Sequence, residues 1–206
     1  DENGVLCGKN FPDTLTNAEE LLPTILSDKI PSHSWQFLCR KELYSDICFP
    51  EGRKAEDLAT TYKLVAKAKR CAVLSDCLYE YRVRSSSILG ELTSNHMKAM
   101  KYYQDELLAF REMIDWAKSD DYIHMVQNIM IQHLFYHYKH LLALDDIRGA
   151  DWIRMQIREE LKSLSLHQMK PLNKIRAFML KINLLGLYYR LNNLSKKTVK
   201  KILHKI

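Results

Sequence analysis

Residues 94–118 read SNHMKAMKYYQDELLAFREMIDWAK, and their spacing sets the fold class. Met100, Tyr103, Leu107, Phe110, Ile114 and Ala117 follow one another at intervals of three and four, which draws an apolar stripe down one side of a long helix. Downstream the pattern repeats. A second helix is expected from about Tyr122 to Leu144, apolar around most of its circumference, with Asp145, Asp146 and Gly149 as the break. A third begins near Asp151 with Ile153, Ile157, Leu161 and Leu164 inward, and a fourth follows Pro171, a residue suited to a first helical turn. Upstream, from Asp1 to Ser85, short helical and strand signals alternate with turns. Asn17 opens a capped helix, and Phe49 to Gly52 is a turn. Leu58, Thr61, Tyr62, Val65 and Ala68 recur at helical spacing, which predicts about four turns of helix from Ala55 to Arg70. Cys71 to Leu74 and Leu78 to Val83, parted by Ser75 and Asp76, read as two short strands. The expected class is α+β, mostly helical.

The chain has 206 residues, 47% of them hydrophobic, with six Gly and five Pro, enough to bury a sizeable core in one or two units. The longest apolar candidate is interrupted by Lys174, Arg176, Lys181 and Arg190, so nothing approaches the roughly 20 apolar residues of a membrane-spanning helix. The sequence opens at Asp1 with no initiator Met and no secretory pattern, and reads as a cut in a longer chain. Its five cysteines (Cys7, Cys39, Cys48, Cys71, Cys77) form no CxxC pair, which fits reduced thiols in the cytoplasm better than a disulfide framework or a zinc site. Charge is unevenly spread. Eleven of the 31 Lys and Arg fall between Leu161 and Ile206, where there is no Asp or Glu, so the body is mildly acidic and the tail strongly basic. That asymmetry points to an anionic partner for the tail, a phospholipid surface or a nucleic acid.

Three elements stand in order within the mixed region. Trp35 leads into the basic run Arg40-Lys-Glu-Leu43; Pro50-Glu-Gly-Arg-Lys-Ala-Glu56-Asp57 follows; then Tyr79-Glu-Tyr81-Arg82-Val-Arg84-Ser-Ser-Ser87-Ile88. Together they resemble the acceptor half of bacterial family-2 glycosyltransferases, of GT-A type, which share a tryptophan with an "RREL"-like run, an "fPEG..xED" element and a "YxYRxRxxSI" element. The resemblance covers Phe11 to about Leu89. It implies that residues 1–90 are the acceptor-side half of a GT-A glycosyltransferase domain, followed over residues 91–206 by a helical C-terminal region with a basic amphipathic tail. It also implies an inverting enzyme that, when intact, moves a sugar from a nucleotide-sugar donor to a glycan or lipid-linked acceptor in surface polysaccharide synthesis. The donor half has no counterpart here: there is no Asp-x-Asp motif, and Asp120-Asp121 and Asp145-Asp146 sit between helices. A divalent cation (Mg or Mn) is accordingly expected of the intact enzyme and none of this piece, which alone is expected to be inactive.

In the family the "ED" element supplies the catalytic base, which implies Asp57 here with Glu56 beside it. Physical reasoning agrees: a carboxylate in a first helical turn is favoured as the ion by about 0.3–1 kcal/mol, and an ionised carboxylate accepts the proton of an attacking hydroxyl. A plain N-terminal capping pair is the competing reading. Arg82 and Arg84, two apart on an expected strand, would share a face and could form a fork for a departing diphosphate, or simply blunt a strand edge. Ser87 is a further substrate-binding candidate, and Trp35 either walls the sugar site or lies in the core. His133, His137 and His140 share a helix face, but no Glu general base intervenes and no Cys stands at ligand spacing, so they read as packed histidines and no metal site is assigned.

In the tail, Ile175, Phe178, Met179, Ile182, Leu185 and Tyr189 are expected on one face that packs on the bundle. Val199, Ile202, Leu203 and Ile206 beside Lys196, Lys197, Lys200, Lys201 and Lys205 form a basic amphipathic helix suited to an anionic leaflet. The expected location is cytoplasmic and peripheral on the inner face of the plasma membrane. Removal of the donor half also leaves surface through which chains can pair as a homo-oligomer. The rival reading is a non-enzymatic helical interaction module whose tail binds nucleic acid.

Overall fold

A computed structural model describes residues 12–76, 78–82, 84, 87–92 and 95–193. The chain is α+β and mostly helical, and it divides into two compact units, the first ending at Val126 and the second beginning at Gln127. This is a division by packing, whereas the one at residue 90 is a division by resemblance.

The first unit opens with β1 (Thr14–Thr16), which pairs antiparallel with β2 (Cys71–Val73) in the register Thr14 to Val73 and Thr16 to Cys71. Ser75 N–H donates to Asp13 Oδ1 (2.6 Å), extending that pairing by one link and holding the Asp13 carboxyl below its ordinary range. Asn17 caps α1 (Ala18–Leu26) as expected, accepting from Glu20 N–H at 3.1 Å. The buried face of α1, Leu21, Leu22, Ile25 and Leu26, packs on α2 (Thr61–Lys67) with its buried Tyr62, Leu64 and Val65.

Helix α2 is shorter than the expected Ala55–Arg70. Ala55 adopts left-handed backbone (φ 53°), and the side chains that follow take the groups a helix would use. Asp57 Oδ1 accepts from Leu58 N–H and Thr60 Oγ1 donates to Glu56 O, both at 2.8 Å. Short polar side chains of this kind compete with the helical ladder, and residues 55–60 settle as turns. The strand expected over Leu78–Val83 is absent among the described residues, where residues 78–82 run without a partner strand. The turn at Phe49–Gly52 is present, with Gly52 at φ 70°.

Two helices complete this unit, α3 (Ile88–Leu92) and α4 (His96–Trp116). Tyr103, Leu107 and Phe110 of the expected stripe are buried, joined by Ala99, Ala109 and Met113. Trp116 meets the Tyr62 ring edge-on at 4.9 Å, which ties the end of α4 to α2. Helix α5 (Asp120–Ala143) then begins.

In the second unit α5 continues and is followed by α6 (Ile147–Ser163), α7 (Pro171–Lys181) and α8 (residues 185–193). Helix α6 starts at Ile147, earlier than Asp151, because Asp146 caps it by accepting from Gly149 N–H (2.9 Å). Gly149 is therefore a buried helical residue and no breaker. The core gathers Met130, Ile131, Leu134, Phe135 and Leu141 around Ile153 and Ile157, with Leu164 also buried. Asn128 fixes the link into α7: its Nδ2 donates to Gln168 O (2.7 Å), its Oδ1 accepts from Lys170 N–H (2.9 Å), and its backbone O accepts from the Asn173 amide (3.1 Å). Pro171 occupies the first turn of α7, as expected.

The apolar face expected to run unbroken from Ile175 to Tyr189 is divided. Asn183 takes left-handed backbone (φ 58°) and ends α7, so α8 starts on a new phase. Ala177, Leu180, Leu185 and Tyr189 are buried, while Ile175, Phe178 and Ile182 face solvent. The amphipathic stretch from Lys196 onward lies outside the described residues. Among the described residues no helix is long and apolar enough to cross a membrane, and Cys39, Cys48 and Cys71 are free thiols.

Candidate functional site

Asp57 stands on the turn that precedes α2, three-quarters withdrawn from solvent, with 25% of its side chain still exposed. That turn is pinned from both ends. Upstream, Arg53 Nη1 donates to Glu112 Oε1 (2.7 Å) and Lys54 N–H donates to Asp105 Oδ2 (2.8 Å), so two carboxylates of α4 hold the Pro50–Glu56 loop. Asp105 is itself buried and accepts a second hydrogen bond from Lys101 Nζ (2.8 Å). Downstream, Thr60 and Thr61 N–H both donate to Asp57 O, at 3.1 and 2.9 Å, and Thr61 Oγ1 donates to Ser32 O (2.7 Å). The last bond brings the 32–36 segment against the turn.

That segment carries His33, whose Nδ1 lies 3.5 Å from Asp57 Oδ2. The hydrogen bond to Asp57 raises the His33 pKa above its ordinary value; burial opposes this, and the charges of Asp57 and Asp28 add to it. One carboxylate oxygen of Asp57 is thus held by the adjacent backbone N–H, and the other lies beside an imidazole. Behind His33 runs an aromatic stack. The Trp35 ring lies 5.3 Å from His33, 4.7 Å from Tyr79 and 5.2 Å from Tyr81, all within 24° of parallel. Trp35 is 38% exposed, so it belongs to a surface cluster and not to the core. On α4, burial pushes the Tyr102 phenol far above the ordinary range, and the charges of Glu106, Asp57 and Glu56 push it further. Tyr102 is neutral at any physiological pH.

Asp57 and Trp35 are therefore brought together through His33. Glu56 is half-buried beside Asp57, its backbone O taken by Thr60. Arg82 is exposed and adjoins the stack through its neighbour Tyr81; Arg84 is exposed as well. Ser87 serves the backbone, its hydroxyl donating to Arg84 O (2.7 Å) and accepting from Gly90 N–H (3.1 Å) at the start of α3. Away from this site, His137 is buried and meets His133 edge-on at 6.0 Å; His140 stacks on Tyr136 and is held below its usual pKa, first by burial and then by His137.

Over 52 residues, 25% of its length, the sequence is 38% identical to Glycosyltransferase GlyG of Streptococcus pneumoniae serotype 4. The chain carries a glycosyltransferase-related region. The match spans 17% of that relative. No protein-family model matches the chain, and no solved structure does.

Sequence reasoning missed His33, Tyr79, Tyr81, Tyr102 and the α4 carboxylates Asp105 and Glu112. A faint signal exists for some of them. Tyr79 and Tyr81 are two apart, and residues two apart on extended chain share a side. Asp105 and Glu112 lie seven apart on one helix, hence on one face, but nothing in the sequence says that the face meets the Arg53–Lys54 loop.

Proposed function

We propose that the full-length protein is an inverting glycosyltransferase of family-2, GT-A type, moving a sugar from a nucleotide-sugar donor to a glycan or lipid-linked acceptor in surface polysaccharide synthesis. Asp57 is its general base. The observation that carries this reading is the placement of Asp57 at the meeting point of the pinned loop, His33 and the aromatic stack, in a chain with a glycosyltransferase-related region.

The acceptor hydroxyl approaches the anomeric carbon as the nucleoside diphosphate departs, and Asp57 Oδ2 takes the hydroxyl proton as the new glycosidic bond forms. Oδ1 stays on the Leu58 N–H, which keeps the carboxylate from rotating away, and His33 fixes the plane of the group. Trp35 and its partners offer flat apolar rings of the kind on which sugar faces pack. Arg82, ahead of Arg84 because it adjoins the stack, meets the leaving diphosphate through charge-assisted hydrogen bonds.

The divalent cation of the intact enzyme is assigned to the donor half. The chain has no Asp-x-Asp motif, and Asp146 is already engaged as a helix cap. The steps assigned to this chain are the proton transfer and the reception of the diphosphate.

Asp57→Asn in the full-length protein tests the reading, through transfer kinetics and donor titration on one preparation. Turnover is expected to fall about 10²–10⁴-fold with donor affinity unchanged. Near-normal turnover removes Asp57 from the role.

A further inference from the structure

Helices α7 and α8 are apolar on two opposite sides. Inward lie Ala177 and Leu180 of α7 and Leu185 and Tyr189 of α8. Outward on α7 and its end stand Leu172, Ile175 (59% exposed), Phe178 (63% exposed) and Ile182, at intervals of three, three and four. That spacing keeps all four within one stripe. Past the bend at Asn183 a second stripe follows: Leu184, Leu187, Tyr188 and Leu191, at three, one and three, every one exposed. A helix apolar all round is ordinarily buried or set against lipid, and an exposed apolar patch of this extent marks an interaction surface.

Charge decides what covers it. Lys170, Lys174, Lys181 and Arg190 flank the two stripes, and no Asp or Glu occurs anywhere from Leu161 to Ile206. The same face of a second copy would bring lysine against lysine, with no carboxylate between Leu161 and Ile206 to relieve the repulsion. A nucleic acid would answer the charge and leave eight large apolar side chains in water. An anionic bilayer surface satisfies both: its acyl boundary receives the apolar stripes, and its headgroups receive the flanking cations. Because no described helix is both long and apolar enough to span, the helices would lie in the plane of the interface.

We propose that the outer face of α7 and α8, from Leu172 to Leu191, is a docking surface for anionic lipid. This goes beyond glycosyl transfer and does not depend on it. It also lies upstream of the lysine-rich terminus, so the two contribute separately.

The test is sedimentation of the whole chain with vesicles of equal parts phosphatidylcholine and phosphatidylglycerol, beside vesicles of phosphatidylcholine alone. The chain is expected to sediment with the mixed vesicles, less so at high salt, and to stay in solution with the neutral ones. Ile175→Ser with Phe178→Ser, both exposed and so expected to leave the melting temperature unchanged, should weaken partitioning roughly tenfold or more. Lys174→Glu with Lys181→Glu should remove the preference for the anionic vesicles. Unchanged partitioning of the serine variant overturns the proposal, as does equal binding to both vesicles. So does vesicle-independent dimerisation or duplex DNA binding that the serine pair abolishes.

Discussion

The loop from Pro50 to Thr60 and the helices from Pro171 to residue 193 solve opposite problems. The loop has little regular structure, yet each end is tied by named polar links: Arg53 to Glu112, the Lys54 N–H to Asp105, Thr61 to Ser32. The terminal helices are regular, and their inner side chains pack, but most of their large apolar residues face outward. In the first region ion pairs and hydrogen bonds fix the turn that carries Asp57. In the second, packing fixes the backbone and leaves a surface whose use lies outside the chain. Order at a site and regularity of backbone are therefore separate properties, and each can be broken without the other.

The largest break is expected at Asp105. Asp105→Ala deletes a buried carboxylate that accepts from the Lys54 N–H and pairs with Lys101, and a buried group's lost hydrogen bond costs about 1–3 kcal/mol. Thermal unfolding should register that loss, and Asp105→Asn, which keeps one acceptor oxygen, should recover part of it. A loss within the about 0.5 kcal/mol of an ordinary surface change would mean that the loop is held by something other than the α4 carboxylates.

The helical region should break through close packing instead. A Cβ added at Gly186 would stand 2.8 Å from Tyr138 Oη, and Tyr138 is buried with its ring beside that of Tyr189. Gly186→Ala gains up to about 1 kcal/mol in helix propensity but faces an overpacking cost of about 1–3 kcal/mol. Net destabilisation of about 1 kcal/mol is expected. Tyr138→Phe removes the obstructing oxygen, and the next atom, Tyr138 Cζ, would be 3.8 Å away. In that background the alanine should become neutral or stabilising. Destabilisation of equal size in both backgrounds would show that the hydroxyl is not the obstacle.

These two positions also mark the limit of what the sequence makes legible. The α4 stripe through Tyr103, Leu107 and Phe110 and the cap at Asn17 are legible because each depends on neighbours within one or two turns. The start of α2 is not, because helical spacing from Leu58 onward is real but Asp57 and Thr60 spend their side chains on nearby backbone groups. The outward turn of Ile175 and Phe178 is hidden too: periodicity gives a stripe without saying which stripe is inside, and the change of phase depends on left-handed backbone at Asn183. At the site, Asp57 and Trp35 stand out through the motifs around them. His33 does not, since its meaning lies in a contact across 24 residues.

The smallest effect, and the sharpest test of the site's geometry, is the titration of His33. Its hydrogen bond to Asp57 raises the folded-state pKa above the ordinary 6.5. A histidine raised in this way stabilises the fold fully below pH 6.5, and the contribution fades as pH rises through the higher folded value. Because 43% of the side chain is exposed, solvent screens the interaction, and the stability change across that window should be slight. The titration midpoint is the better observable. Following the His33 ring protons by NMR, Asp57→Asn should lower the midpoint, since the amide removes the charge and leaves at most a neutral hydrogen bond while the opposing burial remains. Trp35→Ala should act less directly, by freeing the ring that stacks on His33 at 5.3 Å and loosening its alignment with Asp57. A midpoint that ignores Asp57→Asn would mean that the 3.5 Å approach is no working contact, and the carboxylate would then be oriented by the Leu58 N–H alone.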